Sequence, residues 1–302
     1  MPGPGSGQED AGSGPEDAPN RSRSPRREVL EAAGFLAANA ERPVRLADVA
    51  EHVSYSPWHL AHLFERELGL SPGRYLASWR LQRAKQLLLS ADDKVVDICH
   101  QVGFESLGSF TSRFGADVGV SPTSFRRLPH LLAESPPRPV RAPGSGPPGS
   151  VVAGTVGISP AALQALGGAV ALYVGLFEHR VARGAPVSGA LLAEPGNFCL
   201  GGVPAGWWWL LGSALPASAG PGPQLLPGLA VVGAAGPLEV GRGGPVGNVD
   251  LRLDFCPSWT PPVVVALPSL ALRAASARAS GAVSGSARSE KRATRTAPTL
   301  RP

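Results

Sequence analysis

Residues 46–69 read LADVAEHVSYSPWHLAHLFERELG, and residues 95–119 read VVDICHQVGFESLGSFTSRFGADVG. In each stretch the apolar residues recur at spacings of three and four, which is typical of one buried helix face. A short break separates two such patterns within each stretch. Each stretch therefore predicts a short helix, a tight turn and a second amphipathic helix, the arrangement called a helix-turn-helix.

Start and stop signals for helices recur around both stretches. Serine is a good N-cap and proline is tolerated at the first helical position, so three Ser-Pro pairs predict helix starts: Ser56-Pro57, Ser71-Pro72 and Ser121-Pro122. Three glycines fall where helices end or turn, positions that favour a residue tolerant of positive φ: Gly69, Gly103 and Gly119. The repeated signals strengthen the prediction of two similar units.

Residues 71–90 connect the two stretches and predict one helix of about 20 residues, which is about 30 Å long. One turn of B-DNA measures roughly 34 Å, so the second helix of each unit could enter successive major grooves on one DNA face. A helical bundle without a DNA role is the less favoured interpretation, because two turn-and-cap patterns would have to coincide.

Residues 80–127 resemble the signature region of the AraC/XylS family of bacterial transcription regulators. The matching positions include Ala84, Leu87-Leu88, Ile98, Gly103-Phe104, Phe110, Phe114, Gly119, Ser121-Pro122 and Phe125-Arg126. Residues 46–75 resemble the first half of the same domain, so the resemblance covers about residues 28–128. It implies an all-helical DNA-binding domain of seven helices that recruits or blocks RNA polymerase at promoters.

The resemblance also implies which residues face the DNA bases. On the first recognition helix these are Trp58, His59, Ala61 and His62, and on the second they are Leu107, Gly108, Thr111 and Ser112. Many relatives have Arg or Gln at positions 61, 62 and 112, where two hydrogen bonds to one base are possible. Because His62 can still donate to guanine, we expect the first helix to read sequence. We expect the second to position the protein through Arg113 and backbone N–H groups on phosphates.

Six arginines are candidate phosphate contacts: Arg66, Arg74, Arg80, Arg83, Arg113 and Arg126. For each of them an ordinary solvated position is an equal alternative. His59 and His62 could likewise be solvated surface histidines, and Trp58 could pack across the turn. Ser54 stands where relatives often have glycine, and serine there costs about 1 kcal/mol if its φ is positive.

The chain has a net charge of +5 and a pI of about 9.6. Residues 26–128 contain 13 Lys/Arg and 12 Asp/Glu, a net charge of only +1. Residues 271–302 contain seven basic residues and one acidic residue, a net of +6. The prediction of DNA binding therefore rests on the helical pattern and not on the overall charge.

Composition divides the chain into five segments. Residues 1–26 form a Gly/Pro/Ser-rich segment predicted to be disordered, 27–128 the helix-turn-helix domain, 129–150 a Pro/Gly linker, 151–271 a second domain and 272–302 a basic tail predicted to be disordered. The first residues contain no apolar signal sequence, and the uncharged run 161–177 is short for a membrane span. Three scattered cysteines fit a reducing compartment. We therefore expect a cytoplasmic, nucleoid-associated protein without a membrane segment.

The second domain contains short apolar runs broken by Gly and Pro, from VVAGTVGI at 151–158 to PPVVVALP at 261–268. Seven or more strands at this spacing predict an all-β sandwich. Residues 194–216 weakly resemble the strand-turn-strand of transthyretin-like or carboxypeptidase-regulatory-like sandwiches. A similar extension after the DNA-binding domain occurs in a group of actinobacterial relatives, and the Gly/Pro/Ala/Arg-rich composition fits that origin.

Trp207, Trp208 and Trp209 are consecutive in one predicted strand, so the first and third share a face. They are candidates for a ligand platform, although one core face and one surface face is the favoured interpretation. No catalytic set or cluster of metal ligands is recognisable in the sequence. A formal GxGxxG at 144–149 contains two prolines and lacks an upstream strand, which strongly disfavours a dinucleotide site. We therefore expect a protein that is not an enzyme and needs neither cofactor nor metal.

Together these observations predict a sequence-specific DNA-binding transcription regulator. Its partners would be double-stranded DNA, RNA polymerase, a small-molecule effector and a second copy of the chain. The β-domain would sense the effector or form the dimer. The alternative is a protein-interaction scaffold whose helical domain has lost base-specific reading.

Overall fold

The structure is a computed structural model that describes residues 24–135, 138–142, 144–146, 150–242 and 244–268. Its first part is helical. The helices are α1 (Arg27–Ala38), α2 (Leu46–His52), α3 (Pro57–Leu68), α4 (Pro72–Ser90), α5 (Val95–Gln101), α6 (Leu107–Val118) and α7 (Pro122–Glu134). The predicted connecting helix is confirmed as α4, which has 19 residues. The pairs α2–α3 and α5–α6 form the first and second helix-turn-helix units.

The predicted start and stop residues act at the ends of the two recognition helices, α3 and α6. Ser56 Oγ accepts a hydrogen bond from the His59 N–H (3.3 Å) at the start of α3, with Pro57 at the first helical position. Gly69 ends α3 with a φ of +77°, and Gly119 ends α6 with a φ of +90°. Ser54 has a φ of +57°, so the turn of the first unit does hold a serine in the left-handed region.

Each unit has its own apolar core, and α4 contributes to both. Tyr75 and Leu76, near the start of α4, pack with Leu60 and Phe64 of the first unit. Further along the helix, Leu81, Ala84 and Leu88 pack in the second core. There Phe114 lies between Phe110 and Phe125 at ring-centroid distances of 5.6 and 5.7 Å. Because α4 belongs to both cores, it fixes the spacing of the two units.

The second part of the chain is built on a sheet. Its strands are β1 (Val140–Ala142), β2 (Val151–Ile158), β3 (Val170–Phe177), β4 (Ser188–Leu192), β5 (Gly196–Gly201), β6 (Gly206–Pro216), β7 (Val231–Val240) and β8 (Pro245–Phe255). They are hydrogen-bonded in the order β1-β4-β3-β6-β7-β8-β2-β5. The β2–β8 pair is parallel and the others are antiparallel. Two short helices, α8 (Pro160–Ala165) and α9 (Pro221–Leu225), join strands.

The predicted β-sandwich is not confirmed, because these strands form one continuous sheet that curls until its two ends nearly meet. Gly144 N–H donates to the Gly201 carbonyl (2.9 Å), and Ser188 Oγ donates to the same carbonyl (3.0 Å). Short apolar strands predict one buried face but do not say whether a sheet covers it by closing or by packing on a second sheet. Gly154 permits the close approach of β2 to β8 at an irregularity of their pairing, since a Cβ there would collide with the Val249 backbone.

The predicted last strand, PPVVVALP at 261–268, is wrong. These residues form no strand, and residues 267–268 are helical. Residues 257–267, which are mostly irregular, are here named the strap. Proline has no N–H to give to a ladder, so Pro261 and Pro262 disfavour a strand interior. The Ala266 N–H instead donates to the Val118 carbonyl at the end of α6 (2.9 Å).

The strap and the loop 178–187 between β3 and β4 join the β-domain to the helices. Tyr75 of α4 donates its hydroxyl hydrogen to the Trp259 carbonyl (2.9 Å). Val264 and Ala266 enter the core of the second unit, as does Leu225 of α9. The loop reaches both recognition helices, because Arg180 lies beside Gly69 and Gly184 lies beside Gly119. The β-domain therefore packs on the C-terminal ends of α3 and α6.

Parts of the segments predicted to be disordered, residues 1–23 and 272–302, lie outside the described residues. The predicted Pro/Gly linker contributes strand β1, which pairs with β4. Among the helices that the structure describes, none combines the length and apolar character that crossing a bilayer would require.

Candidate nucleic-acid interface

The solvent-facing side of α3 carries an aromatic pair. Trp58 has 70% of its surface exposed, so it does not pack across the turn. Its ring centroid lies 4.2 Å from that of His62, one helical turn further on. Tyr55 and His59 form a second contact, stacked at 4.9 Å with an angle of 3° between the rings. The first unit therefore presents rigid, flat, partly polar groups to solvent.

The orientation of His62 is fixed by a hydrogen bond within α3. Its Nδ1 lies 2.9 Å from the Trp58 carbonyl oxygen. A carbonyl can only accept, so Nδ1 must carry the hydrogen, and in the neutral ring Nε2 is then an acceptor. The neutral ring can therefore accept a hydrogen bond from an adenine or cytosine amino group, and the protonated ring can donate to guanine.

The corresponding side of α6 is smaller and less polar. Leu107, Gly108 and Ser112 are exposed, with Leu107 at 40%. The Thr111 hydroxyl donates back to the Leu107 carbonyl (2.9 Å) and lies 3.2 Å from that of Gly108. Because that hydroxyl is engaged within the helix, Thr111 has mainly its methyl group to offer a partner. Ala61, at the equivalent position of α3, also offers only a methyl group.

Three of the six candidate phosphate arginines hold parts of the helical domain together. Arg80 donates from Nε to the Ala40 carbonyl (2.7 Å) and from Nη2 to the Arg42 carbonyl (2.8 Å), and burial lowers its pKa. Arg83 pairs with Glu41 (2.8 Å), and Arg126 donates to the Asp93 carbonyl (2.6 Å). These contacts fix loops between helices.

The other three candidates lie at the ends or on the outer side of helices. Arg66 is in the last turn of α3, 3.9 Å from Glu67, with 65% of its side chain exposed. Arg74 is exposed in the first turn of α4, and Arg113 is half-buried on α6. Arg66 and Arg74 are therefore exposed positions from which a side chain could reach a phosphate.

The three consecutive tryptophans take three different environments on β6. Trp207 is 56% exposed. Trp208 is buried in the core of the β-domain, and its Nε1 donates to the Pro204 carbonyl (2.9 Å). Trp209 is half-buried, with the Arg180 guanidinium 5.9 Å from its ring centroid. The three side chains therefore do not form one surface.

Sequence reasoning missed the pair formed by Asp117 and Arg183. Asp117 lies near the end of α6 and is buried, and its Oδ1 is 2.6 Å from Arg183 Nη2 and 2.7 Å from Nε. The Gly184 N–H also donates to the Asp117 carbonyl (2.9 Å). The sequence did contain one local signal. Asp117 directly precedes Val118 of the buried helix face, and a carboxylate in such a position needs a partner for its charge.

Comparison with known proteins gives matches over the helical part. Residues 49–128 match the family model described as a helix-turn-helix domain. The melibiose operon regulatory protein of Escherichia coli (strain K12) is 34% identical over 100 residues, which are 33% of this chain and 33% of that protein. Multiple antibiotic resistance protein MarA of the same strain is 33% identical over 97 residues, which are 32% of this chain and 76% of that protein.

Among solved structures, the C-terminal domain of AraT, a response regulator from Geobacillus stearothermophilus, is 29% identical. The match covers 35% of this chain and 88% of that chain, with a TM-score of 0.33. The chain spans about a third of the length of the melibiose operon regulatory protein.

Proposed function

The chain belongs to the AraC/XylS family of transcription regulators, and on that premise we propose that it binds DNA sequence-specifically through α3 and α6. The two helices would enter successive major grooves, since α4 is about 29 Å long at 1.5 Å per residue. The observation that carries the proposal is the exposed Trp58–His62 pair on α3. In the proposed complex a base edge or a sugar would cover Trp58, which is 70% exposed in this structure.

The two helices contribute unequally. On α3, His62 Nε2 is free of the helix and can bond to a base edge, and Trp58 beside it supplies an apolar surface for a thymine methyl or a sugar. On α6, the Leu107 side chain and the Thr111 methyl group can only make apolar contacts. Arg113 and the backbone N–H groups of α6 would hold phosphates and set the register.

The β-domain would act as a sensor or as a dimer interface. Its loop 178–187 and its strap contact both units, which supports a coupling between the β-domain and the spacing of α3 and α6. RNA polymerase is the further partner that family membership suggests. The regulatory role proposed for this chain includes no catalytic step.

The test is selection of bound fragments from random DNA by the full chain, followed by affinity measurements at fixed salt. We expect one preferred sequence and footprint protection of about 15–20 bp. His62→Ala should weaken binding to that sequence about tenfold and relax the preference at one base, because one good base contact is worth about 1–3 kcal/mol. Ser112→Ala is the matched control at the equivalent position of α6, and it should change affinity less than threefold.

The competing function is a scaffold whose helical domain no longer reads bases. An unchanged sequence preference in a variant carrying both Trp58→Ala and His62→Ala would favour the scaffold. The absence of any preferred sequence in the selection would favour it as well.

A further inference from the structure

A cavity of about 340 Å³ lies between the outer face of the sheet and the strap. Its floor comes from strands β3, β4, β6 and β7, and its cover comes from the strap. The wall is mostly apolar, with Phe177, Leu191, Leu211, Val232, Trp259 and Val263 among its side chains. Cavities of roughly 300–1,000 Å³ with such walls are the usual size and character of small-molecule sites.

The sheet carries small residues at this place, which lets Pro186 of the loop 178–187 pack closely on it. Gly175 of β3 pairs with Gly189 of β4, and both line the cavity. A Cβ at Gly175 would come within 2.8 Å of the Pro186 side chain. Ser213 and Ala234, on the same outer face, are small as well.

The wall contains two nearly buried hydroxyl-bearing residues, Tyr173 and Ser213. Tyr173 of β3 is only 7% exposed, and it lines the cavity. Burial raises the pKa of its hydroxyl, which is therefore protonated at neutral pH. Within the described part of the chain no side chain or carbonyl forms a hydrogen bond with this hydroxyl. The Tyr173 oxygen is not among the fully enclosed, unbonded side-chain atoms of the described residues, so it is accessible to a hydrogen-bonding atom of a ligand in the cavity.

The charges near the cavity favour a neutral ligand. Glu67 and Arg180 both line it, and they carry opposite signs. Glu67 is already bonded to Arg26, through the Arg26 N–H (2.7 Å) and Nε (3.3 Å). Arg180 lies over the Trp209 ring. An ion of either sign would therefore meet one group that repels it, inside a mostly apolar wall.

We propose that this cavity binds a neutral, largely apolar small molecule with one hydrogen-bonding oxygen, which pairs with the Tyr173 hydroxyl. Binding is independent of any role in DNA recognition. Its regulatory consequence rests on the proposed function, because Glu67 and Leu68 of the last turn of α3 are in the same wall. A ligand bound in the cavity would thus contact the sheet, the strap and the first recognition helix.

The test is a fluorescence titration of the full chain with 1-naphthol and, in parallel, with 1-methylnaphthalene, which has the same ring but no hydroxyl. We expect saturable binding of both at one site, with 1-naphthol the tighter. Tyr173→Phe should weaken 1-naphthol about fivefold and leave 1-methylnaphthalene unchanged, because it removes one hydrogen bond and little volume. Trp207→Ala is the control on β6 outside the cavity, and it should change neither affinity.

Filling the cavity provides a second arm. Val232→Phe should lower the affinity for both probes at least tenfold, and Ser213→Leu, on the neighbouring strand, replaces it if the first variant does not fold. The proposal is overturned if neither probe binds saturably. It is also overturned if both filling variants still bind the probes, or if Trp207→Ala abolishes binding. If 1-naphthol binds as expected but the selection of bound DNA fragments gives no preferred sequence, the ligand site is supported and the proposed DNA-binding function is contradicted.

Discussion

The first helix-turn-helix unit turns through Ser54 at a φ of +57°, whereas the second turns through Gly103 at a φ of +85°. The two recognition helices end alike, at Gly69 and Gly119. Two residues before each of these glycines stands an acidic residue, Glu67 in the first unit and Asp117 in the second. The backbone plan is thus shared, and the two acidic residues can be compared directly.

The partners of these acidic residues differ. Glu67 pairs with Arg26, which directly precedes α1 of the same helical domain. Asp117 pairs with Arg183 of the β-domain, and the backbone of Gly184 bonds to the same residue. The second unit is therefore anchored to the β-domain by an ion pair and backbone bonds, while the first meets it through Tyr75 and the wall of the cavity. Duplicated units can fold alike and still have different tasks.

The largest effect is expected from breaking the anchor of the second unit. Arg183→Ala leaves the buried Asp117 carboxylate without its cation, so we expect a loss of about 3 kcal/mol in the free energy of unfolding. The measurement is urea unfolding followed by circular dichroism. Arg26→Ala is the matched control on Glu67, and its pair is more exposed, so it should cost less than about 1 kcal/mol. Equal losses in the two variants would contradict the difference in anchoring.

Lys85 of α4 gives the next largest effect. It is fully buried beneath the strap, with Nζ 3.4 Å from the Val263 carbonyl and 5.6 Å from the centroid of the Phe125 ring. Burial lowers the pKa of Lys85 from 10.5 to about 7. Replacing a buried charge of this kind by a similar apolar side chain is often stabilising, so Lys85→Met should raise the free energy of unfolding by about 2 kcal/mol at neutral pH.

The pH dependence of Lys85 has a definite sign. Between pH 7 and 10.5 the unfolded chain keeps the Lys85 proton and the folded chain loses it. The contribution of Lys85 to the free energy of unfolding therefore rises with pH across that window. Below pH 7 Lys85 is charged in both states, so the folded state bears the full cost of burying the charge. Urea unfolding at several pH values across the window should show this rise in the native chain and a flatter profile in Lys85→Met. Identical profiles would contradict the burial of the ammonium group.

The turn of the second unit depends on glycine. Gly103→Ala places a Cβ at positive φ and 3.1 Å from the Arg80 guanidinium. We expect a loss of about 1–2 kcal/mol in unfolding free energy, measured by urea titration. Gly115→Ala is the control within α6, where a Cβ has no neighbour within 4 Å. Gly115→Ala should stabilise the helix by up to about 1 kcal/mol. If it instead lowered the unfolding free energy as much as Gly103→Ala does, the turn would have no special requirement for glycine.

The turn of the first unit should respond in the opposite direction. Ser54→Gly removes the strain of a serine in the left-handed region, which should stabilise the folded state by about 1–2 kcal/mol. Glycine also loses more backbone entropy on folding, which should destabilise the folded state by about 0.5–1 kcal/mol. The net gain is therefore about 0.5 kcal/mol, measurable as a higher urea midpoint with an unchanged slope. A loss of stability would show that Ser54 makes a contribution that outweighs its backbone strain.

Local sequence signals predicted the helical domain well because they act over a few residues. Ser56 caps α3 through a hydrogen bond three residues away, and Gly119 ends α6 by its own φ. Phe110 and Phe114 share a face because four residues make about one turn. The short apolar run that predicted β2 is equally local. The strand predicted at 261–268 failed because a short apolar run can be a strand or a segment buried against another domain.

The candidate site was only partly predictable for the same reason. The exposed positions on α3 follow from helix periodicity. The contacts of Arg80 and Arg126 do not, because their acceptors are carbonyls 40 and 33 residues away in sequence. An arginine looks the same in a sequence whether it faces a phosphate or bridges two loops.

The sequence by itself determined the two helix-turn-helix units, the connecting helix and the apolar strands, since propensity, capping and periodicity are properties of neighbouring residues. The tertiary structure alone decided the closure of the sheet, the burial of Lys85, the partner of Asp117 and the cavity at Tyr173. Lys85 and Val263 are 178 positions apart in sequence, and Asp117 and Arg183 are 66 apart. Such contacts form only where whole elements pack against one another, and no local pattern records which surfaces meet.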